Sequence, residues 1–280
     1  MVNRVAVVTG ASSGFGMQTS IELAKEGFHV LATMRNVQKK DTLIKRVEEL
    51  GIKERVETYE LDVTSEASII KWKRFMEEKQ GRIDVLVNNA GYAGAGFSEE
   101  VSVEEYKAQF ETNVFGVMAV TQAILPLMRR QMSGKIINVS SISGRVGFPG
   151  LSPYIASKHA LEGYSESLRL ELKPFGVDVV LIEPGSYQTN IWTTGKKVAE
   201  KSLEKDSPYY ETMKKMEHYL ERSSGNYGDP QEVAKLIVKL AKQDKVGLRY
   251  PVGKGVKRTI RLKQWLPWRI WENILLKQLK

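Results

Sequence analysis

The chain has 280 residues, 27% of them charged, a net charge of +9, three histidines and no cysteine. That length suits one large α/β domain with a substantial core. The lack of cysteine excludes disulfides and thiolate metal sites and agrees with a reducing, cytoplasmic setting, and the scattered His29, His159 and His218 have no ligand spacing, so no metal site is expected. Residues 254–280 hold eight Lys/Arg against one Glu, a net +7. The near-neutral remainder argues against nucleic-acid binding.

In chain order, β-branched runs alternate with segments of helical period, the pattern of a parallel sheet covered on both faces. The N-terminus enters an apolar strand directly, unlike a signal peptide, and no run approaches the roughly 20 apolar residues of a membrane span. Strands are predicted at 5–9, 29–33, 56–60, 85–88, 135–139, 178–183 and 249–252. Helices are predicted at 14–26, 41–50, 65–80, 103–132 with a break near Asn113, 154–173 and 230–243. The interval 186–226 fits neither period and reads as an insertion with short helices of its own. Residues 1–253 are expected to form one domain, with 254–280 as a basic, Trp-rich tail.

Two spacings carry chemistry. The first strand ends in Thr9-Gly10-Ala11-Ser12-Ser13-Gly14-Phe15-Gly16 and a helix begins at once. Glycines there permit a tight turn, and a helix N-terminus offers unpaired N–H groups to a pyrophosphate. Tyr154 and Lys158 stand four apart at a helix start and address one molecule; a neighbouring cation is expected to lower the phenol's pKa toward the useful range.

The Thr9–Gly16 spacing resembles the short-chain dehydrogenase/reductase family. So do Asn88-Asn89-Ala90-Gly91, Asn113, Ser140-Ser141, Tyr154-x-x-x-Lys158, and Pro184-Gly185 followed by Thr189. The resemblance implies a doubly wound, Rossmann-type parallel sheet of about seven strands and a hydride-transfer enzyme. Tyr154 would be the general acid/base, Lys158 would lower its pKa and bind the nicotinamide ribose, Ser141 would hold the substrate oxygen, and Asn113 would anchor a water on the proton path. The family's serine lies 13 positions before its tyrosine, which selects Ser141 over Ser140. Gly10, Ser12, Ser13, Gly14, Phe15, Gly16, Asn89, Ala90, Gly91, Pro184, Gly185 and Thr189 would bind the cofactor, with Asp62 and Val63 at its adenine.

After the second strand no acid follows until Asp41, and Arg35 stands 19 positions past Gly16. An acid would accept the ribose 2′-OH of NAD, whereas a guanidinium suits a 2′-phosphate, so NADP(H) is expected in preference to NAD(H). The motif set looks most like the 17β-hydroxysteroid and retinol dehydrogenase branch, which implies a lipophilic ketone or secondary alcohol and a homodimer or homotetramer. Ser141, Phe148, Tyr187 and Trp192 are the expected substrate contacts; Tyr209, Tyr210, Met213, Met216 and Tyr219 either extend that wall or pack the insertion. Trp268, Trp271, Leu275 and Leu279 recur at helical spacing in the tail. That face suits weak peripheral membrane contact, or packing over the substrate mouth or a partner subunit. A catalytically idle NADP(H)-binding regulator is the alternative, disfavoured by the intact Asn113, Ser141, Tyr154 and Lys158.

Overall fold

β-branched runs bounded by turn residues become the strands of one parallel sheet. In the computed structural model, which describes residues 4–277 apart from the side chains of 219–221, 223 and 224, the strands are β1 (Val5–Val8), β2 (His29–Met34), β3 (Val56–Glu60), β4 (Val85–Asn88), β5 (Ala93–Ala95), β6 (Gly134–Val139), β7 (Val177–Pro184), β8 (Lys196–Val198) and β9 (Arg249–Val252). The helices are α1 (Gly14–Lys25), α2 (Asp41–Glu49), α3 (Glu66–Phe75), α4 (Val103–Phe110), α5 (Gly116–Gln131), α6 (Ser152–Leu172), α7 (Tyr210–Ser223), α8 (Pro230–Lys242), α9 (Val256–Trp265) and α10 (Trp268–Lys277). Seven strands share one sheet in the order β3-β2-β1-β4-β6-β7-β9, all parallel. The chain winds outward from β1 to β3, then crosses back to β4 and winds the other way. This reversal opens a crevice beyond the carboxyl ends of β1 and β4.

Successive side chains of a strand face opposite layers. Ala6 and Val8 pack with Ile21, Leu43, Val233 and Ile237 from α1, α2 and α8. Val5 and Val7 pack with Trp72, Ile124, Met128 and Leu168 from α3, α5 and α6. With both faces covered, the inner strands β1, β4 and most of β7 run as continuous apolar stretches, while the edge strand β3 alternates with polar residues.

The expected break near Asn113 is a wide turn instead. A capping box starts α4, with Ser102 Oγ accepting from Glu105 N at 3.2 Å and Glu105 Oε2 accepting from Ser102 N at 2.8 Å. A π-turn at Glu111–Phe115 then joins α4 to α5. Val103–Gln131 is the one helix among the described residues long and apolar enough to cross a bilayer, but its Val120, Ile124 and Met128 are core residues against the sheet.

The insertion supplies β8, which pairs with β5 in a separate two-stranded sheet, and α7. The tail forms two helices divided at Leu266-Pro267. Val256, Ile260 and Trp271 are buried with Val146, and Ile142, Phe148, Leu266 and Leu275 pack around them. The tail therefore rests on the segment that follows β6; Leu279 and Lys280 lie outside the described residues.

Candidate active site

The turn between β1 and α1 is shaped for an anion. Gly10 and Gly14 have φ of +67° and +54°, a region closed to most side chains. The N-cap Ser13 makes no side-chain cap hydrogen bond and the first turn of α1 holds no acid, so its amides keep their partial positive charge. Gly16 is buried beneath the loop, and a Cβ there would come within 2.5 Å of Asn89 Nδ2. Asn89 clamps the turn: its Nδ2 donates to Thr9 O at 2.9 Å and Gly10 O at 3.2 Å, while Thr9 Oγ1 accepts from Asn89 N and Ala90 N, both at 3.0 Å. Glycine where a Cβ would collide, an uncapped helix start and no acid fit a pyrophosphate-bearing dinucleotide.

Along the crevice, exposed Arg35 follows β2 and lines a cavity of about 800 Å³ together with Asp62, Val63, Asn89, Ala90 and Gly91. Asp62 Oδ1 is held by Thr64, accepting from its N at 2.9 Å and its Oγ1 at 2.7 Å, which fixes the turn after β3. The Gly-rich turn, Pro184, Gly185 and Thr189 line the same cavity. A Cβ on Gly14 would lie 3.5 Å from Thr189 Cβ, so that threonine closes over the turn.

Tyr154, Lys158 and Ser141 meet at the other end. Pro153 starts α6, which places Tyr154 in its first turn and Lys158 one turn on. Lys158 Nζ lies 5.7 Å from the Tyr154 ring centroid and donates to Val139 O at 2.8 Å. Ser141 follows β6, accepts from Ser143 N at 3.1 Å and faces the Tyr154 phenol, whose pKa it lowers. Ser140 Oγ is buried without a hydrogen-bond partner among the described residues, so the two adjacent serines are distinguished by this contact.

The electrostatics depart from the expectation of a depressed phenol. Burial pushes Tyr154 up to about 12, with only the Ser141 hydroxyl pulling it down, and burial lowers Lys158 to about 8 against the attraction of Glu162. Desolvation outweighs the cation here, because the ammonium is itself desolvated and turned to the Val139 carbonyl.

Asn113 does not line the cavity. From the π-turn its Oδ1 accepts from Tyr92 N at 3.2 Å and its Nδ2 donates to Tyr92 O at 3.0 Å and Ser157 Oγ at 3.2 Å, which leaves one acceptor position on the amide oxygen.

Of the four expected substrate contacts, Ser141 and Trp192 reach the Tyr154 end of the cavity. Trp192 meets the Tyr154 ring edge-on at 6.1 Å and 73°. Phe148 lies outside the cavity, drawn away by the tail's apolar cluster. Tyr187 borders the cavity but its hydroxyl donates to Glu232 at 2.8 Å and its ring packs edge-on against Phe15 at 5.4 Å; it pins the loop to α8 and offers no polar tip to a ligand. Tyr209 stacks on Phe97 at 4.3 Å, Met213 is buried, and Tyr210 carries Lys214 over its ring at 4.5 Å. Met216 packs on Gly150. These residues pack the insertion and fix it to the loops around Phe97 and Gly150, and none lines the cavity; Tyr219's side chain lies outside the described residues.

Two features had no motif to announce them. Tyr92 and Lys197, brought together by the β5–β8 sheet with Nζ 4.7 Å from the ring centroid, flank the cavity. Beneath Lys158 lies a charge network around the buried Glu162 and Glu183: Arg249 Nε bonds Glu162 at 2.9 Å, Arg249 Nη2 bonds the exposed Glu166 at 2.6 Å, and Arg145 bonds Glu183 at 3.0 Å. Burial and the neighbouring Glu162 raise the Glu183 carboxyl, with both arginines opposing. The network ties the Ser141 loop to the end of β7. Only an Arg/Glu content within otherwise apolar segments hints at it.

The short chain dehydrogenase family model matches residues 4–199. The chain belongs to the short-chain dehydrogenase/reductase family. Among curated relatives, it is 49% identical to the uncharacterized oxidoreductase YusZ of Bacillus subtilis over 100% of this chain and 99% of that protein. It is 35% identical to 3-ketodihydrosphingosine reductase of Bacteroides thetaiotaomicron, covering 95% of this chain and 94% of that one, and 37% identical to human retinol dehydrogenase 8, covering 71% and 63%. Among solved structures, a short-chain dehydrogenase from Streptomyces avermitilis superposes with a TM-score of 0.81 at 34% identity, over 94% of this chain and 97% of that one. ElxO with NADP bound gives 0.73 at 28% identity, over 92% and 100%. A Burkholderia phymatum member in complex with NAD gives 0.79 at 26%, over 98% and 95%. The protein is thus an NAD(P)-dependent oxidoreductase with a Rossmann-type sheet.

Proposed function

We propose that this enzyme prefers NADP(H) and interconverts a lipophilic ketone and its secondary alcohol. The observation that carries the reading is the convergence of Tyr154, Ser141 and Lys158 on the cavity that the Gly-rich turn and Arg35 also line. The nicotinamide, when bound, supplies or accepts the hydride. Tyr154 passes a proton to or from the substrate oxygen, which Ser141 holds by the hydroxyl that faces the phenol. Lys158 binds the ribose and stabilises the phenolate as it forms, and Asn113, bonded to Ser157 beside Lys158, extends the proton path through a water. The amides of the Gly-rich turn take the pyrophosphate, Arg35 takes the 2′-phosphate, Asp62 and Val63 border the adenine, and Thr189 orients the carboxamide.

Trp192 and the ring of Tyr92 give the open end an aromatic wall, which supports an apolar substrate, as do the names of the sphingoid-base and retinol relatives. An apolar strip of Ile70, Phe115, Gly116 and Ala119 between α3 and α5, with Ile70 and Phe115 exposed, supports a homodimer or homotetramer, which light scattering would count.

The test is oxidation of NADPH and of NADH by the purified protein with long-chain 3-keto amines, steroids, retinal and small soluble ketones. Turnover with NADPH and an apolar ketone is expected, and Arg35→Asp should erase the cofactor preference. One lost charge-assisted contact of about 1.5–3 kcal/mol corresponds to roughly 10- to 150-fold in affinity. Equal affinities for the two cofactors in the unmutated protein would refute the assignment of Arg35.

A further inference from the structure

The tail uses one face of each helix to pack and leaves the other face unpartnered among the described residues. On α9 the buried Val256 and Ile260 form one seam, and Arg258, Arg261, Leu262 and Trp265, at i, i+3, i+4 and i+7, lie on the opposite side. All four are exposed, Trp265 at 87%. On α10 the seam is Trp271 and Leu275; Trp268, 64% exposed, Arg269, Ile270, Glu272, Asn273, Ile274, Leu276 and Lys277 are left outside it. Both seams rest on the same patch around Val146, so both outer faces point away from the body.

We propose that this outer face docks on an anionic lipid bilayer surface. Two properties of the face choose the occupant. Its charge is predominantly basic, with Arg258, Arg261, Arg269 and Lys277 against Glu272, in a segment that carries +7 of the chain's +9; a second copy of the tail would meet it with the same sign, whereas anionic headgroups complement it. Its apolar members are large tryptophans and aliphatics interleaved with Arg and Lys, as in helices that lie in the headgroup region. A nucleic acid would match the charge but leave Leu262, Ile270, Ile274 and Leu276 in water, because aliphatic side chains give bases no stacking surface. The docked helices sit on the segment that carries Ser141 and Phe148, so the enzyme body is held with that end of its cavity near the bilayer.

The experiment is flotation of the full-length protein with vesicles of phosphatidylcholine alone and of phosphatidylcholine mixed with phosphatidylglycerol, at low and high salt. Binding is expected only to the mixed vesicles and should weaken steeply as salt screens the attraction. Arg258→Glu/Arg261→Glu should reduce partitioning by at least about 20-fold, at about fivefold, the equivalent of about 1 kcal/mol, for each basic side chain near the surface. Trp265→Gln/Ile270→Gln should reduce it by about tenfold or more while leaving the melting temperature unchanged, since both side chains are exposed. No binding to mixed vesicles, equal binding to neutral ones, binding retained in both double variants, or tighter binding to a single-stranded oligonucleotide at matched salt would each overturn the proposal. So would a concentration-dependent dimer that Trp265→Gln/Ile270→Gln dissociates.

Discussion

The two ends of the cavity are built by different means. The end proposed to receive the phosphates is shaped by backbone: the turn after β1 and the loop after β4 are locked by four hydrogen bonds through the Thr9 and Asn89 side chains, with no space for a Cβ at Gly10 or Gly16. The end proposed to receive the substrate is walled by side chains of the inserted segment, Trp192 against Tyr154 and Lys197 against Tyr92. Backbone sites tolerate almost no change of residue type. Side-chain walls can be rebuilt without disturbing the sheet beneath them, so a substrate class can change while the cofactor frame stays fixed.

The largest effect should come from the group where the two ends meet. Tyr154→Phe is expected to lower turnover by about 10²- to 10⁴-fold, the usual contribution of a positioned acid/base, while NADPH binding, followed by fluorescence, stays within a few-fold. Near-normal activity in that variant with any good substrate would show that the proton comes from elsewhere.

Gly16→Ala tests the backbone end. The added methyl meets Asn89 Nδ2 and the Gly10 carbonyl, an overpacking that costs about 1–3 kcal/mol; calorimetry should show a melting temperature lower by several degrees, and cofactor affinity should fall about tenfold or more. Unchanged melting and binding would mean that the clamp is slack.

A pH profile probes the charged side of the junction. Lys158 loses its proton in the free enzyme as pH rises through about 8, so kcat/KM for ketone reduction should fall above that value, approaching about tenfold per pH unit. Between about 8 and the ordinary 10.5 the unfolded chain holds a proton that the folded one has lost, so this group's contribution makes stability rise with pH across that window. A reduction rate that stays flat well above pH 8 would detach Lys158 from the chemistry.

The smallest effect belongs to the wall. Trp192→Ala removes an edge contact that contributes about 0.5–1.5 kcal/mol; KM for an apolar ketone should rise about 2- to 10-fold with cofactor affinity unmoved. If cofactor binding falls instead, the two ends are not separable at this residue.

From sequence alone came the alternation of strands and helices, the parallel sheet and the turn glycines, because a buried parallel strand needs a continuous apolar run and a phosphate turn needs residues without a Cβ, and both demands are local. That Tyr154, Lys158 and the Gly-rich turn would each form a local cluster was legible for the same reason: their spacing within one helix or one turn is the geometry; their roles stay a proposal. Tertiary structure alone decided the rest. Phe148 reads as a pocket residue until α9 and α10 draw it into their cluster, and Tyr187 reads as one until Glu232, 45 positions away, claims its hydroxyl. Tyr92 meets Lys197 only because two three-residue strands pair across about a hundred residues, and the raised pKa of Tyr154 follows from burial, which no i, i+4 spacing records. Contacts between distant segments depend on which surfaces the folded layers leave to be covered, and that choice is made by the whole core rather than by any one stretch of chain.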